Sequence, residues 1–342
     1  MIETAQHDRR PLPEVMLRIV TGYWISQAVG AVARLGVPDQ LADGARSSDD
    51  LARAVGAHPQ ALFRVLRTLA SIGIFSQTDP GAFALTPLGE TLRSDTPGSV
   101  RNFAIAQTAS GHWEPWGRFV ESVKTGKAMA REALGMELWQ WYGEHPRDAA
   151  FFSAAMGNLA ALAAGELVRV YDVTTARTIA DVGGAHGVLL AAALHANPNA
   201  HGILFDLPHV IETAAPAIEA QGLTDRVELA AGDFFEAVPA GADLHILKQI
   251  VHDWDDEHAA RILTNCHRAL APGGKLLLVE MVVPPDNRPS GVQPMDLHMM
   301  VMLGGRERTE AEFESLLGGM GFRMERVIPT RSPFSVIEAT RV

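Results

Sequence analysis

Apolar residues recur at helical spacing from Glu14 to Leu35, where Val15, Ile19, Ala28, Val29, Val32 and Leu35 predict one helix closed by Gly36, with Pro38 just beyond. After Glu14 its only charges are Arg18 and Arg34, so it has little polar face and must be buried, and a partner subunit is one way to bury it. Ser47 and Asp50 read as a capping box for a short helix to Val55, ended by Gly56. Pro59 sits near the start of a second helix, whose stripe of Leu62, Val65, Leu66, Leu69 and Ile72 runs to Gly73. Short strands are predicted at Ile74–Gln77 and Ala82–Leu85, around the turn Asp79-Pro80-Gly81. Helix, turn, helix and hairpin in that order predict a winged helix over residues 1–100.

The segment 101–171 reads as helical. Nine of the chain's 22 aromatic residues lie between Phe103 and Phe152, and they either fill a core between domains or line an apolar pocket for a flat molecule. From residue 172 the rhythm changes. Thr178–Val182, His201–Phe205, Val227–Ala230, Asp243–Leu247 and Lys275–Val283 read as strands, separated by helices at His186–Ala196, Pro208–Ala220 and Asp256–Leu270. That alternation predicts an α/β domain with a mostly parallel, doubly wound sheet. A capping box at Thr309 and Glu312 opens one more helix ending near Gly318-Gly319, and Arg323–Ile328 with Phe334–Thr340 predict a terminal hairpin at the sheet edge.

Charge and composition narrow the function. The net charge of −11 is the wrong sign for a general binder of nucleic acid or anionic membrane. Residues 1–100 hold nine Lys/Arg and ten Asp/Glu, so the winged helix lacks a basic footprint and reads as a dimerisation scaffold more readily than as a DNA reader. No uninterrupted apolar run approaches the roughly 18 residues that cross a bilayer. Met1 to Pro13 show no signal peptide. Cys266 is the only cysteine, which excludes an internal disulfide and fits a reducing cytoplasm.

Candidate chemistry gathers at the strand ends. Asp181-Val-Gly183-Gly184-Ala-His-Gly187 follows the first strand and opens a helix, with glycines that let the backbone turn and a ligand approach. Asp206, before Leu207, ends the second strand, where a carboxylate can bind a ribose diol. Asp233 and Phe234 end the third, where an acid and a ring can meet adenine. The loop lacks the Gly-x-Gly start expected around a pyrophosphate. Three acids therefore suit the sulfonium and ammonium of S-adenosylmethionine better than a dinucleotide; the remaining alternatives are a nicotinamide site, or acids that merely cap turns. His252, Asp253, Asp255, Asp256 and His258 could suggest a metal, but their spacing fits no compact ligand pattern, and Asp255 is well placed as a helix cap. No metal is expected.

Asp181-Val-Gly-Gly, Phe205-Asp-Leu-Pro-His-Val-Ile, Gly232-Asp-Phe-Phe, Leu247-Lys-Gln-Ile-Val-His-Asp-Trp-Asp-Asp-Glu-His and Gly304-Gly-Arg-Glu-Arg-Thr-Glu-Ala-Glu-Phe occur in an order that resembles the S-adenosylmethionine-dependent O-methyltransferases. That family is typified by caffeic-acid and hydroxyindole methyltransferases and by bacterial antibiotic-tailoring enzymes. The resemblance spans nearly the whole chain. It implies a Rossmann-like class I methyltransferase sheet over 172–342, a winged-helix homodimerisation domain, and methylation of an aromatic hydroxyl with S-adenosylhomocysteine as product. It implies His252 as general base, Glu280 and Glu307 flanking it, and Lys248 on the methyl donor. It puts His298 and Met302 on the substrate side, with Met156 and Asp253 joining them. Glu280 interrupts an apolar strand and so needs a partner, whereas Glu307, between Arg306 and Arg308, also reads as a solvated loop charge. A neutral imidazole, with an unperturbed pKa of about 6.5, can take a phenolic proton at pH 7. One departure is visible: where the family shows Gly-Gly-Gly-x-Gly, this chain has Ala185-His186 after Gly184.

Overall fold

The computed structural model describes residues 11–286 and 288–342, so most of the Met1–Pro13 segment read as lacking a signal peptide lies outside the described residues. Contacts divide the chain into two compact units, one of residues 1–118 and 130–159, the other of 119–129 and 160–342. The predicted helical segment 101–171 is thus shared between them.

In the first unit the predicted helix Glu14–Leu35 is two helices, Leu12–Val20 and Gly22–Leu35. The break is local chemistry: the Thr21 hydroxyl donates back to the Leu17 carbonyl at 2.8 Å, competing with the helical ladder, and Gly22 follows. Leu12, Met16, Leu17, Ile19, Val20, Tyr23 and Trp24 are all more than half exposed within the single chain. The winged-helix pattern is present. Helices Ser48–Val55 and Pro59–Ala70 pack with a three-stranded antiparallel sheet in which Ala82–Leu85 lies between Arg46–Ser47 and Phe75–Asp79. The Ser47 side chain accepts the Asp50 N–H as its capping pattern predicts, and Leu51, Leu66, Leu69, Phe75 and Phe83 form the core.

Counting uninterrupted apolar runs misses two stretches. Leu12–Leu35 and Pro146–Val170 are long and apolar enough to cross a membrane by length and composition, because averaging tolerates isolated polar residues such as Thr21 and Asn158. Within the single chain 11% of the first stretch and 22% of the second is buried.

The second unit carries a seven-stranded sheet. Its strands are β1 (Thr178–Val182), β2 (His201–Asp206), β3 (Val227–Ala231), β4 (Leu244–Lys248), β5 (Lys275–Glu280), β6 (Phe322–Pro329) and β7 (Ser335–Arg341), in spatial order β6-β7-β5-β4-β1-β2-β3. The first five run parallel; β7 pairs antiparallel with both β5 and β6, which makes the predicted hairpin. Helices α1 (Val188–Ala196), α2 (Pro208–Ala220), α3 (Asp256–Ala269), α4 (Val292–Met302) and α5 (Glu310–Gly319) complete it. Ile262, Leu263 and Cys266 of α3 and Phe313 and Leu317 of α5 form one core with Ala180, Leu247, Leu278 and Ile337 of the sheet. The order reverses between β1 and β4, and at such a point the carboxyl ends of the strands open a crevice.

Several boundaries move by a residue or so from the sequence reading, and two larger differences shape the crevice. The helix predicted from His186 starts at Val188, because Gly187 holds a left-handed φ of 74° as its cap. The strand predicted over Lys275–Val283 stops at Glu280. Val282–Val283 instead pairs in parallel with Arg308–Thr309, drawing the loop that carries Glu307 toward the end of β4.

Candidate active site

The crevice begins with backbone. The N–H groups of Gly183 and Gly184 donate to the Phe205 carbonyl at 2.8 and 3.3 Å, and Gly232 donates to the Asp206 carbonyl at 3.0 Å, so the ends of β1, β2 and β3 are knitted together. Gly183 has φ 73°, and a Cβ there would lie 2.5 Å from the Ile250 side chain; one at Gly184 would lie 2.5 Å from the Asp181 carboxyl carbon. Ala185 adopts φ 50°, a conformation that favours glycine, and its N–H donates to Asp206 Oδ2 at 2.9 Å. Asp206 Oδ1 accepts from the Leu207 N–H at 2.7 Å, and Asp233 Oδ1 from the Phe235 N–H at 2.8 Å. Each acid thus fixes its own loop while keeping free lone pairs. Ala185 and His186 are exposed at the loop's tip.

Asp181 differs from the other two acids. It is buried beneath the glycine loop, where its Oδ2 accepts the Leu190 N–H at 3.2 Å, and burial together with the Asp206 charge pushes its carboxyl up to about 7. Lys248, at the end of β4, holds its Nζ 5.5 Å from the centre of the Phe334 ring. Burial brings its ammonium down to about 8 against the pull of Glu280, Asp181 and Asp253.

The four residues after Lys248 hold the reactive group. Gln249 has φ 52° and a buried Oε1 without a hydrogen-bond partner, a strained position of the kind that gathers at functional sites. His252 follows on the one-turn helix Val251–Asp253 and is 4% exposed. Its Nδ1 meets Glu307 Oε1 at 2.8 Å, and its Nε2 lies 3.3 Å from Asp253 Oδ1. Glu280 is fully buried at the end of β5, and its Oε1 accepts the Ile250 and Val251 N–H groups at 3.1 and 3.0 Å. The second carboxylate oxygens of Glu280 and Glu307 are buried without partners. The reading of Glu307 as a solvated charge is therefore corrected: it is 3% exposed and faces inward, while its own N–H donates to Asp296 of α4.

The acids change the imidazole. Burial alone opposes its charge, but Glu280, Asp253 and Glu307 outweigh that and lift it to about 9. The three carboxyls therefore favour the charged imidazole over the neutral one. Burial likewise raises the carboxyls of Glu280, to about 7, and of Asp253. Ligand atoms of His252, Glu280 and Glu307 lie within 4.8 Å of one another, a composition that could hold a cation, although the closest oxygen is already hydrogen-bonded to Nδ1.

The remaining sequence candidates divide by unit. His298 and Met302 are buried on α4, the helix tied to Glu307 through Asp296. Met156 is half-buried in the first unit, on Pro146–Val170. Many of the aromatics there pack on one another: Tyr142 stacks on Phe152 at 4.9 Å, and its hydroxyl lies 3.1 Å from His112 Nδ1. Asp255 caps α3 by accepting the His258 N–H, as expected. Sequence reasoning missed Asp296, Gln249 and the reach of the Gly304–Arg308 loop. The paired glycines were the available signal for the last.

The family profile described as the O-methyltransferase domain matches residues 116–323, and the one described as the O-methyltransferase dimerisation domain matches 17–95. A phenazine O-methyltransferase of Lysobacter antibioticus is 40% identical over 339 residues, covering 99% of both chains. A mitomycin biosynthesis 6-O-methyltransferase of Streptomyces lavendulae is 38% identical, covering 97% of this chain and 96% of its own. A methyltransferase of calicheamicin biosynthesis, solved with S-adenosylhomocysteine bound, superposes with a TM-score of 0.85 at 33% identity, over 98% of this chain and all of its own. The chain belongs to the O-methyltransferase family, and S-adenosylmethionine is its methyl donor.

Proposed function

We propose that this enzyme methylates a hydroxyl of an aromatic small molecule, with His252 taking the hydroxyl proton. The observation that carries the reading is the 2.8 Å pairing of buried His252 Nδ1 with Glu307, so that Nε2, 3.3 Å from Asp253 Oδ1, is the nitrogen an acceptor hydroxyl would share with that carboxylate. S-adenosylmethionine supplies an activated methyl group, so the protein's task is to align the oxygen and remove its proton. Glu307 fixes the ring's orientation. Glu280 supplies buried counter-charge to the protonated ring, and Asp253 Oδ1 lies 3.3 Å from Nε2.

For the donor, Asp206 suits the ribose hydroxyls and Asp233 with Phe234 the adenine, while Leu207, Gly183, Gly184 and Lys248 complete the crevice. Asp181 acts mainly from below, holding the glycine loop to α1. Within the second unit, His298 and Met302 are the candidates for the acceptor's surroundings. No metal is required by these steps. The protein acts as a homodimer in a reducing cytoplasm, with the apolar surface of Leu12–Leu35 covered by a second copy, and neither nucleic acid nor membrane is a partner.

The test is incubation with S-adenosylmethionine and a panel of phenols, hydroxyquinones and hydroxylated heteroaromatics, read by mass spectrometry. Products heavier by one methylene unit, with matching S-adenosylhomocysteine, support the proposal. Transfer confined to amines would overturn the hydroxyl assignment, and donor binding with no transfer to any acceptor would overturn the catalytic one.

A further inference from the structure

The turn that presents His252 is gripped from two sides. On its N–H side, Glu280 accepts from Ile250 and Val251. On its carbonyl side lies the loop Gly304–Arg308. The Arg306 N–H donates to the His252 carbonyl at 2.9 Å, and a Cβ at Gly305 would lie 2.1 Å from that same oxygen, so only glycine lets the two backbones meet. Arg308 closes the grip. It is 1% exposed, and its guanidinium donates to the carbonyls of Val251 and Trp254, both at 3.0 Å, and through two nitrogens to Asp256 Oδ1 at 3.0 and 2.7 Å. The two carbonyls bracket His252 and Asp253. Asp256 is the first residue of α3, where a carboxylate is favoured by the helix dipole.

Resting on the assignment of His252 as base, we propose that Arg308 is a positioning residue for methyl transfer: its planar fork locks the 251–254 turn, so that His252 stays on Glu307 with Nε2 aimed at the acceptor. The adjacent residue, Glu307, touches the ring, and Arg308 touches the backbone on either side of it. One short segment thereby orients the base through its side chain and its main chain together. A buried guanidinium is costly unless fully hydrogen-bonded, and here, apart from a 3.4 Å bond to the Arg306 carbonyl, the donors are used on groups that belong to the proposed catalytic turn or to its anchor, Asp256. Lysine could keep the charge but not span both carbonyls.

The experiment compares Arg308→Met, Arg308→Lys, His252→Ala and the Arg308→Met/His252→Ala double variant, each checked for native circular dichroism. Misplacing a reacting group by about 1 Å can cost 10²-fold. Arg308→Met should lower kcat about 10- to 10²-fold with the Kd for S-adenosylmethionine within twofold, and Arg308→Lys should lie between it and wild type. Because a loosened turn separates His252 from Glu307, the acid limb of kcat/KM should also move to lower pH. In the His252→Ala background, Arg308→Met should cost almost nothing more, since both act through one group. If Arg308→Met fails to fold, Arg308→Lys and Asp256→Asn are judged by the same pH limb and kcat.

An unchanged kcat and pH profile in folded Arg308 variants overturns this proposal and leaves the base assignment standing. Full additivity in the double variant also overturns it, since that is what a purely structural arginine would give. Near-wild-type turnover in His252→Ala overturns the base assignment first, and the positioning role with it.

Discussion

Glu307 Oε1 lies 2.8 Å from His252 Nδ1 although the two residues are 55 positions apart in the chain. Val282–Val283 makes the meeting possible by leaving the large sheet and pairing with Arg308–Thr309. The contact engages Nδ1 while Nε2 lies 3.3 Å from Asp253 Oδ1, so the ring is held between two carboxylates.

Removing the proposed base should be costly and specific. General-base catalysis is worth about 10²- to 10⁴-fold, so His252→Ala should lower kcat by at least about 10²-fold with donor affinity nearly unchanged. Alkaline pH should restore part of the loss, because the acceptor then ionises unaided. His258→Ala removes an exposed ring paired with Asp255 and should cost much less. Steady-state kinetics with calorimetry of donor binding checks both.

The pH dependence has a definite sign. A base is inactive while protonated, and His252 is held at about 9, so kcat/KM should climb with pH through neutrality and level off only above about 9. Glu280→Gln removes one of the charges that raise the imidazole, so its limb should shift to lower pH while the plateau falls. A limb fixed at the wild-type position in Glu280→Gln would contradict the electrostatic account.

The donor crevice should answer to Asp206. Its carboxylate holds the Ala185 and Leu207 N–H groups and is the proposed partner of the donor's ribose, so Asp206→Ala should weaken S-adenosylmethionine binding at least about tenfold. Asp43→Ala, exposed in the other unit, should leave it unchanged. Equal affinities by calorimetry would count against the crevice.

His245 predicts an acid weakness. It lies in the middle of β4 with both ring nitrogens buried and unpartnered, and burial holds its imidazole down at about 4. The unfolded chain binds this proton near pH 6.5 and the folded chain does not. Stability is therefore intact above about 6.5 and lost as pH falls toward 4, by up to about 3 kcal/mol for this group. His245→Leu should flatten the decline in Tm between pH 7 and 5. An equally steep decline in the variant would assign the effect elsewhere.

Self-association should depend on the exposed face of Leu12–Leu35. Leu17→Glu with Trp24→Glu places charges on residues that are 63% and 60% exposed within the single chain. Light scattering at micromolar concentration should report dimer for wild type and monomer for the variant. A wild-type monomer with full activity would remove the dimer from the proposal.

Much of this was readable in sequence because it is local. The N-cap at Ser47, the capping box at Thr309, the strand runs and the acid-bearing strand ends each depend on neighbours within a few positions. The same locality explains the misses. Thr21 breaks its helix through a hydroxyl bond that periodicity does not weigh. Glu307 looked solvated because Arg306 and Arg308 stood beside it, yet Arg308 is buried on carbonyls more than fifty positions away. The shift of His252 was invisible for a related reason: its three carboxylates come from β5, the Glu307 loop and its own turn.

The antiparallel placement of β7 has a consequence for how the enzyme comes into being. Strand β7 pairs with β5 along its length, with Ser335 opposite Glu280, and is translated only after the intervening 54 residues. Until it docks, Lys-Leu-Leu-Leu-Val-Glu is an open, apolar sheet edge, a ready template for another chain. A nascent polypeptide emerging from the ribosome can therefore assemble the donor crevice early, while the strand bearing Glu280 stays adhesive. Synthesis rate and chaperone supply, rather than final stability, would then govern how much active enzyme a cell obtains.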